Sequence, residues 1–91
     1  MNDRCSVRLT RPARRALEAE LPEKIAAAVI EFLDGPLAEN PRRVGKPLRD
    51  ELAGKWSARR GQYRVIYAID DQIAAVMVLR IDHRSDLYRP W

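Results

Sequence analysis

The sequence has one cysteine, one histidine and four glycines. A single cysteine cannot form an internal disulfide, and one cysteine with one histidine cannot complete a closed zinc site. The glycines are isolated, so they do not form a glycine-rich phosphate loop. No apolar run approaches the roughly 18 residues of a membrane-spanning helix, and the N-terminus lacks the apolar region of a signal peptide. We therefore expect a cytoplasmic protein without metal, small-molecule cofactor or membrane partner.

What the chain does contain is an excess of positive charge in one segment. Its 91 residues form one expected domain, with 17 Lys and Arg against 13 Asp and Glu and a formal charge of +4. Within residues 42–64, only Asp50 and Glu51 oppose eight basic side chains: Arg42, Arg43, Lys46, Arg49, Lys55, Arg59, Arg60 and Arg64. A one-sided basic field of this kind indicates a polyanionic partner, with nucleic acid preferred to membrane.

The N-terminal third predicts one strand and a helical hairpin. Cys5–Leu9 alternates apolar and polar residues, which is typical of a half-buried strand. Thr10 is a suitable cap for a helix that has Pro12 in its first turn and ends near Glu20. A second helix starts at Pro22 and has apolar residues at helical spacing until Asp34-Gly35-Pro36, where we expect it to end.

The second half predicts a three-stranded antiparallel meander. Residues 55–60 alternate, and Gly61-Gln62 suits a hairpin turn into a strand over 63–69. Residues 73–81 form the most continuously apolar stretch, typical of a central strand. We expect 36–52 to be an ordered connector and 82–91 to be a polar, aromatic tail. The predicted fold class is therefore α+β, with a strand and helical hairpin packed on a small, mostly antiparallel sheet.

The alternation places several cations together on this sheet. Lys55, Ser57 and Arg59 share one strand face, and Arg64 lies across the turn, so three cations can converge on a phosphate. Edge-strand cations also discourage aggregation, and this alternative has about equal weight for Lys55 and Arg59. Arg64 is different because it lies within an interior-type strand, where an arginine must be paired or point into a functional groove.

Metal-free RNA cleavage would require a base for the 2′-OH, cations for the phosphate and an acid for the 5′ oxygen. The single histidine excludes a two-histidine mechanism, so the base would be a carboxylate, His83 or a lysine such as Lys55. In the tail, His83, Arg84 and Tyr88 could protonate, stabilise or stack on RNA. A solvated histidine and a tyrosine that clamps the sheet are the simpler alternatives.

Three segments of the sequence together resemble a known family. They are Gly-Lys-Pro-Leu-Arg-Asp-Glu-Leu-Ala-Gly, Ser-Ala-Arg-Arg-Gly-Gln-Tyr-Arg-Val-Ile-Tyr-Ala-Ile-Asp-Asp and His-Arg-Ser-Asp-Leu-Tyr. Together they resemble the RelE toxins of bacterial type II toxin–antitoxin systems, within the RelE/ParE superfamily, and most closely those of the mycobacterial type. The resemblance covers about residues 7–89.

The resemblance implies a ribosome-dependent endoribonuclease that cuts mRNA in the 30S A site by 2′-OH attack and leaves a 2′,3′-cyclic phosphate. It places the invariant sheet arginine on Arg64, a strand lysine on Lys55, a further basic residue on Arg59 and the C-terminal tyrosine on Tyr88. Ser57 replaces a second strand lysine. The tail arginine that acts as general acid aligns with Asp82 or His83, and we expect His83 to be the acid, or Arg84 if the tail is displaced.

The remaining basic residues are expected to bind ribosomal RNA: Arg42, Arg43, Lys46, Arg49, Arg60 and Arg84. The expected protein partner is a RelB-like antitoxin that lays an acidic, partly helical segment over the sheet groove or displaces the tail. Two alternatives remain open. One is a ParE-like toxin that poisons gyrase without nuclease chemistry, and the other is a non-catalytic module that binds RNA or the ribosome.

Overall fold

A computed structural model describes residues 4–83 and places helices on one face of a five-stranded sheet. The strand order is β1-β5-β4-β3-β2. Strand β1 pairs in parallel with β5, and the other neighbours are antiparallel. The strands are β1 Ser6–Leu9, β2 Lys46–Pro47, β3 Lys55–Arg60, β4 Tyr63–Asp70 and β5 Ala75–His83. The predicted α+β class with a mostly antiparallel sheet is confirmed.

Thr10 joins the first strand to the first helix. Its hydroxyl accepts a hydrogen bond from the Ala13 amide at 3.4 Å and donates one to the Leu79 carbonyl at 2.8 Å. The cap therefore starts helix α1, Arg11–Arg15, and also fastens it to β5. A wider π-helical turn, Ala16–Glu20, completes the helix, so its predicted start and end are confirmed.

The second helix runs further than the sequence predicts. Helix α2 spans Glu23–Phe32 and continues as a π-helical segment, Leu33–Leu37, which contains Pro36. The predicted end at Asp34-Gly35-Pro36 is therefore wrong. A proline removes one backbone donor and crowds the preceding turn, and the wider π turn accommodates both effects.

The connector contains a short strand that sequence patterning missed. Strand β2 has only two residues, with Lys46 opposite Ser57 and Pro47 opposite Trp56. Two residues are too few to show an alternating pattern, so this strand is recognised only from its pairing with β3. A 3₁₀ turn, Asp50–Leu52, then leads to β3.

The meander of β3, β4 and β5 is confirmed, but β5 ends later than predicted. Asp82 and His83 are the last two residues of β5, opposite Arg64 and Tyr63 of β4. The prediction that the tail begins at Asp82 is therefore wrong. A register shift between Ile66 and Tyr67 changes the pairing midway along β4.

The core lies between the helices and the sheet face that they cover. The buried helical side chains are Ala13, Ala16, Val29, Phe32, Leu33 and Leu37. They pack against Ala58, Tyr63, Val65, Tyr67, Val76, Val78 and Ile81 of the sheet. Burial of this apolar surface is the main term that holds the helices to the sheet. No helix in residues 4–83 is long and apolar enough to cross a membrane.

Candidate nucleic-acid site

The sheet face opposite the helices, here called the open face, carries the polar residues that the sequence singles out. Strand alternation directs Ala58, Val65 and Tyr67 into the core, so their neighbours lie on the other side. The open face therefore has three rows of cross-strand neighbours: Arg59–Arg64–Asp82, Ser57–Ile66–Arg80 and Lys55–Ala68–Met77.

A cavity of about 350 Å³ lies on the open face. It is lined by Leu48, Leu52, Lys55, Ser57, Arg64, Ile66, Leu79, Arg80 and Asp82. Three cations and one carboxylate thus line a pocket whose apolar walls come from the connector and the sheet. Such a pocket can bind an anion while limiting its contact with water.

Arg64 is held by a buried carboxylate. Its NH2 group donates to Asp82 Oδ2 at 3.0 Å, and Arg80 Nε donates to Asp82 Oδ1 at 2.6 Å. The side chain of Asp82 is 7% exposed, whereas those of Arg64 and Arg80 are 37% and 52% exposed. Arg64 is therefore paired, which is one of the two outcomes expected for an arginine inside an apolar strand. Its buried Nε has no hydrogen-bond partner among the described residues.

Arg59 lines a second, more basic groove beside this cavity. The groove has a volume of about 630 Å³ and is lined by Arg43, Val44, Gly45, Lys46, Pro47, Leu48, Ser57, Arg59 and Arg60. Its described lining includes four cations and no carboxylate. Leu48 and Ser57 line both spaces, so the groove and the cavity adjoin. The structure thus places Lys55 with Arg64, and Arg59 in the neighbouring groove.

Arg60 has contacts inside the protein. It belongs to the core-facing set of β3, and its guanidinium lies 4.9 Å from the Phe32 ring centroid. It also donates to the carbonyl oxygens of Arg59 and Val44 at 2.8 and 2.9 Å. Arg60 therefore supports the groove wall, and its role in RNA binding stays a prediction.

Two more predicted RNA-binding residues lie elsewhere on the surface. Arg42 donates to Asp71 at 2.6 Å in the turn between β4 and β5. This hydrogen bond raises the pKa of Arg42 and lowers the pKa of the Asp71 carboxyl. Arg49 is exposed next to the 3₁₀ turn. Neither residue lines the cavity or the basic groove.

His83 lies on the other side of the sheet from Arg64. It is paired with Tyr63, and directly paired residues of antiparallel strands project from the same face. Since Tyr63 is buried against Phe32, this register directs His83 toward the helical side. The placement does not support His83 as the general acid. Arg84 and Tyr88, two other predicted site residues, lie outside the described residues.

Sequence reasoning missed Arg80 and Asp82 as site residues. The available signal was their spacing: residues two apart in a strand share a face, and Arg64 required a buried partner. Treating Asp82 as part of the tail hid both facts. Within residues 4–83, no group of three or more His, Cys, Asp or Glu side chains is arranged to hold a metal ion.

Helices packed on one face of a five-stranded mixed sheet are the fold of RelE/ParE-type toxins. Residues 7–88 match the family described as the ParE toxin of the type II toxin–antitoxin system parDE. The chain belongs to this family, within the RelE/ParE superfamily of toxins.

Two individual relatives of the chain are mycobacterial toxins. The chain is 58% identical over 84 residues to toxin RelG of Mycobacterium tuberculosis, covering 92% of this chain and 95% of the relative. It is 57% identical over 83 residues to toxin RelE of the same organism, covering 91% and 84%. The predicted resemblance to mycobacterial RelE toxins is confirmed.

Solved structures of related toxins share the fold of this chain. The toxin–antitoxin complex RelBE2 of M. tuberculosis contains a chain with a TM-score of 0.86 and 57% identity, over 89% of this chain and 99% of that one. A chain of the archaeal RelE–RelB complex from Pyrococcus horikoshii has a TM-score of 0.63 at 24% identity, over 92% and 97%. This second likeness supports the fold alone.

Proposed function

We propose that this toxin is a metal-independent, ribosome-dependent endoribonuclease that cuts mRNA in the A site and thereby inhibits translation in the cytoplasm. The observation that carries the proposal is the open-face cavity, where Lys55 and Arg64 lie beside a carboxylate that fixes the arginine. The 57–58% identity to toxins named RelG and RelE supports this activity over others in the superfamily.

The reaction is an attack of a deprotonated 2′ oxygen on the adjacent phosphorus. The bond from phosphorus to the 5′ oxygen breaks, the 5′ oxygen takes up a proton, and a 2′,3′-cyclic phosphate forms. Arg84 is the candidate proton donor that the family resemblance leaves, because His83 is directed to the other side of the sheet. Arg64 stabilises the charge on the phosphate oxygens, as donors aimed at a developing anion do. Lys55 contacts the phosphate or takes the 2′-OH proton. Tyr88 stacks on or orients the RNA bases, as the family resemblance implies.

The adjoining basic groove extends the binding surface. Arg43, Lys46 and Arg59 attract RNA phosphates, while Arg42, Arg49, Arg60 and Arg84 supply further contacts to ribosomal RNA. The ribosome would position the message, which offsets the weakness of a lysine as a base.

The test is to add the purified chain to ribosomes translating a defined message and to map the new RNA ends by toe-printing. The proposal predicts cuts within A-site codons, 2′,3′-cyclic phosphate ends and no comparable cutting of naked mRNA. Binding to ribosomes without any product would instead indicate a non-catalytic ribosome-binding module.

A gyrase poison is the second candidate, because the matching family description names ParE. This candidate predicts inhibition of gyrase supercoiling that survives the loss of both Arg64 and Tyr88. Cleavage on ribosomes that requires Arg64 would exclude it as the main activity.

We also propose a RelB-like antitoxin as the protein partner. A chain 57% identical to this one was solved in the toxin–antitoxin complex RelBE2 of M. tuberculosis. An acidic segment over the open face would complement its cations and keep RNA out. Co-expression with a small acidic protein encoded next to this chain should yield a stable complex without ribonuclease activity, whereas independent purification of two active proteins would contradict this partner.

A further inference from the structure

Asp82 is a buried acidic residue of the sheet, and it forms ion pairs with two arginines. The residue is 5% exposed and belongs to the open face of β5. A buried carboxylate is strongly unfavourable unless charged partners and hydrogen bonds compensate for its desolvation. Asp82 therefore depends on the two arginines that it binds.

The two carboxylate oxygens each bind one guanidinium. Arg64 approaches Oδ2 at 3.0 Å and Arg80 approaches Oδ1 at 2.6 Å. Both arginines line the same cavity and keep 37% and 52% of their side chains exposed. The carboxylate thus fixes two partly exposed guanidiniums within one anion-binding space.

Resting on the proposed nuclease function, we propose that Arg80 is a second catalytic arginine at the scissile phosphate and that Asp82 is the positioning residue for both arginines. Arginine's planar fork suits phosphate oxygens, and both guanidiniums stay partly exposed in the cavity. Arg80 lies two residues before Asp82 on the same face of β5 and adds a second guanidinium to the cavity.

Because Asp82 is negatively charged, its removal can distinguish an effect on the orientation of the two arginines from an effect on the attraction of RNA. Asp82 cancels part of the positive charge in the cavity, so removing it should not weaken the attraction of RNA. Its removal does release the two guanidiniums, and small displacements of catalytic groups reduce rates by about 100-fold. A positioning role therefore predicts a lower kcat without a higher KM.

The experiment measures kcat and KM for message cleavage on ribosomes. R80A and R80K should each lower kcat by about 100-fold, because lysine keeps the charge but cannot reproduce the guanidinium fork. D82N should lower kcat at least 10-fold with KM unchanged or lower. The controls R15A and E31Q remove the same charges from exposed helix positions and should cut like the parent.

A double-mutant cycle separates positioning from a general effect on folding. If Asp82 acts through the arginines, D82N should change kcat less than about 3-fold when Arg64 and Arg80 are both alanine. An undiminished D82N effect in that background, or R80A and R80K cutting as fast as the parent, would overturn the inference. R80K keeps the test decisive if D82N fails to fold.

A measurement without cleavage keeps this inference distinct from the proposed function. Inorganic phosphate is titrated into the full chain while arginine Nε–H signals are followed by NMR. Joint shifts of Arg64 and Arg80 that D82N abolishes would support the two-arginine site even if the parent cuts no message. No shift at Arg80, in a parent that does cut, would refute its role.

Discussion

At the level of single residues, the Tyr67 phenol links the connector to the core. Tyr67 is fully buried, and its hydroxyl donates to the Pro41 carbonyl at 2.5 Å. Burial raises the pKa of Tyr67 to about 12, and the nearby positive charge of Arg60 opposes this rise only in part. The folded protein therefore retains a proton that an unfolded tyrosine loses near pH 10.

This pKa difference predicts a loss of stability in alkali. Below pH 10 the contribution of Tyr67 is fully present, and it is lost as the pH rises from about 10 through about 12. Urea unfolding at pH 9 and pH 11 should show the parent losing about 1 kcal/mol more than Tyr67→Phe, since one pKa unit corresponds to about 1.4 kcal/mol. Equal losses in both proteins would contradict this account.

The residues of the candidate site were only partly predictable. An arginine within an apolar strand must be paired or point into a groove, and the structure pairs Arg64 with Asp82. Which carboxylate would serve depends on the β4–β5 register, and this register becomes known only when Asp82 is placed in the strand. Local patterning likewise could not show that His83 faces the helical side, because that also depends on its pairing with Tyr63.

At the level of elements, the sequence predicted correctly those features that depend on residues close together in the chain. The Thr10 cap, the first helix and the turn at Gly61-Gln62 were all predicted from a few neighbouring residues. The parallel pairing of β1 with β5 joins residues about 70 positions apart, and sequence periodicity has no information about that contact. The helix through Pro36 was missed because packing against the sheet outweighs a local helix-stop signal.

Gly45 allows the connector to approach the sheet closely. A Cβ at this position would overlap the Tyr67 hydroxyl and lie 2.9 Å from the Ser57 carbonyl oxygen. Gly45→Ala should therefore lower the free energy of unfolding by about 1–3 kcal/mol, the usual range for overpacking. Chemical denaturation measures this change.

Gly35 provides a matched control for this substitution. A Cβ there would meet nothing within 4 Å, and the residue lies in the helical segment after α2. Gly35→Ala should be neutral or stabilise the protein by up to about 1 kcal/mol. Equal destabilisation by both alanines would refute the close approach at Gly45.

At the level of the whole molecule, the net charge of +4 is less informative than its distribution. Arg43, Lys46 and Arg59 are exposed cations that line the basic groove, and Arg60 both lines the groove and supports its wall. Arg42 lies outside the groove and is paired with Asp71. Single-stranded RNA binding should therefore depend on salt mainly through the groove. Composition predicted a polyanionic partner, whereas the fold shows which cations line the groove and which ones make contacts within the protein.

The salt dependence gives a quantitative test of the groove. Each phosphate contact of single-stranded RNA contributes about 0.7 to the slope of log K against log salt. Fluorescence anisotropy should show that Lys46→Ala and Arg43→Ala each reduce the magnitude of the slope by about 0.7. Arg15→Ala, on the helical side, should leave it unchanged, and an equal effect of all three would mean that the groove has no special role.

The role proposed for this toxin is cleavage of messages on the ribosome through Arg64. Toe-printing of one translated message should be compared for the parent, Arg64→Ala and the control Arg15→Ala. We expect A-site cuts by the parent and control, and a rate lower by about 100- to 1,000-fold for Arg64→Ala, the loss expected for a donor that stabilises a transition-state anion. Cleavage by Arg64→Ala at the parental rate would refute the proposed role of Arg64.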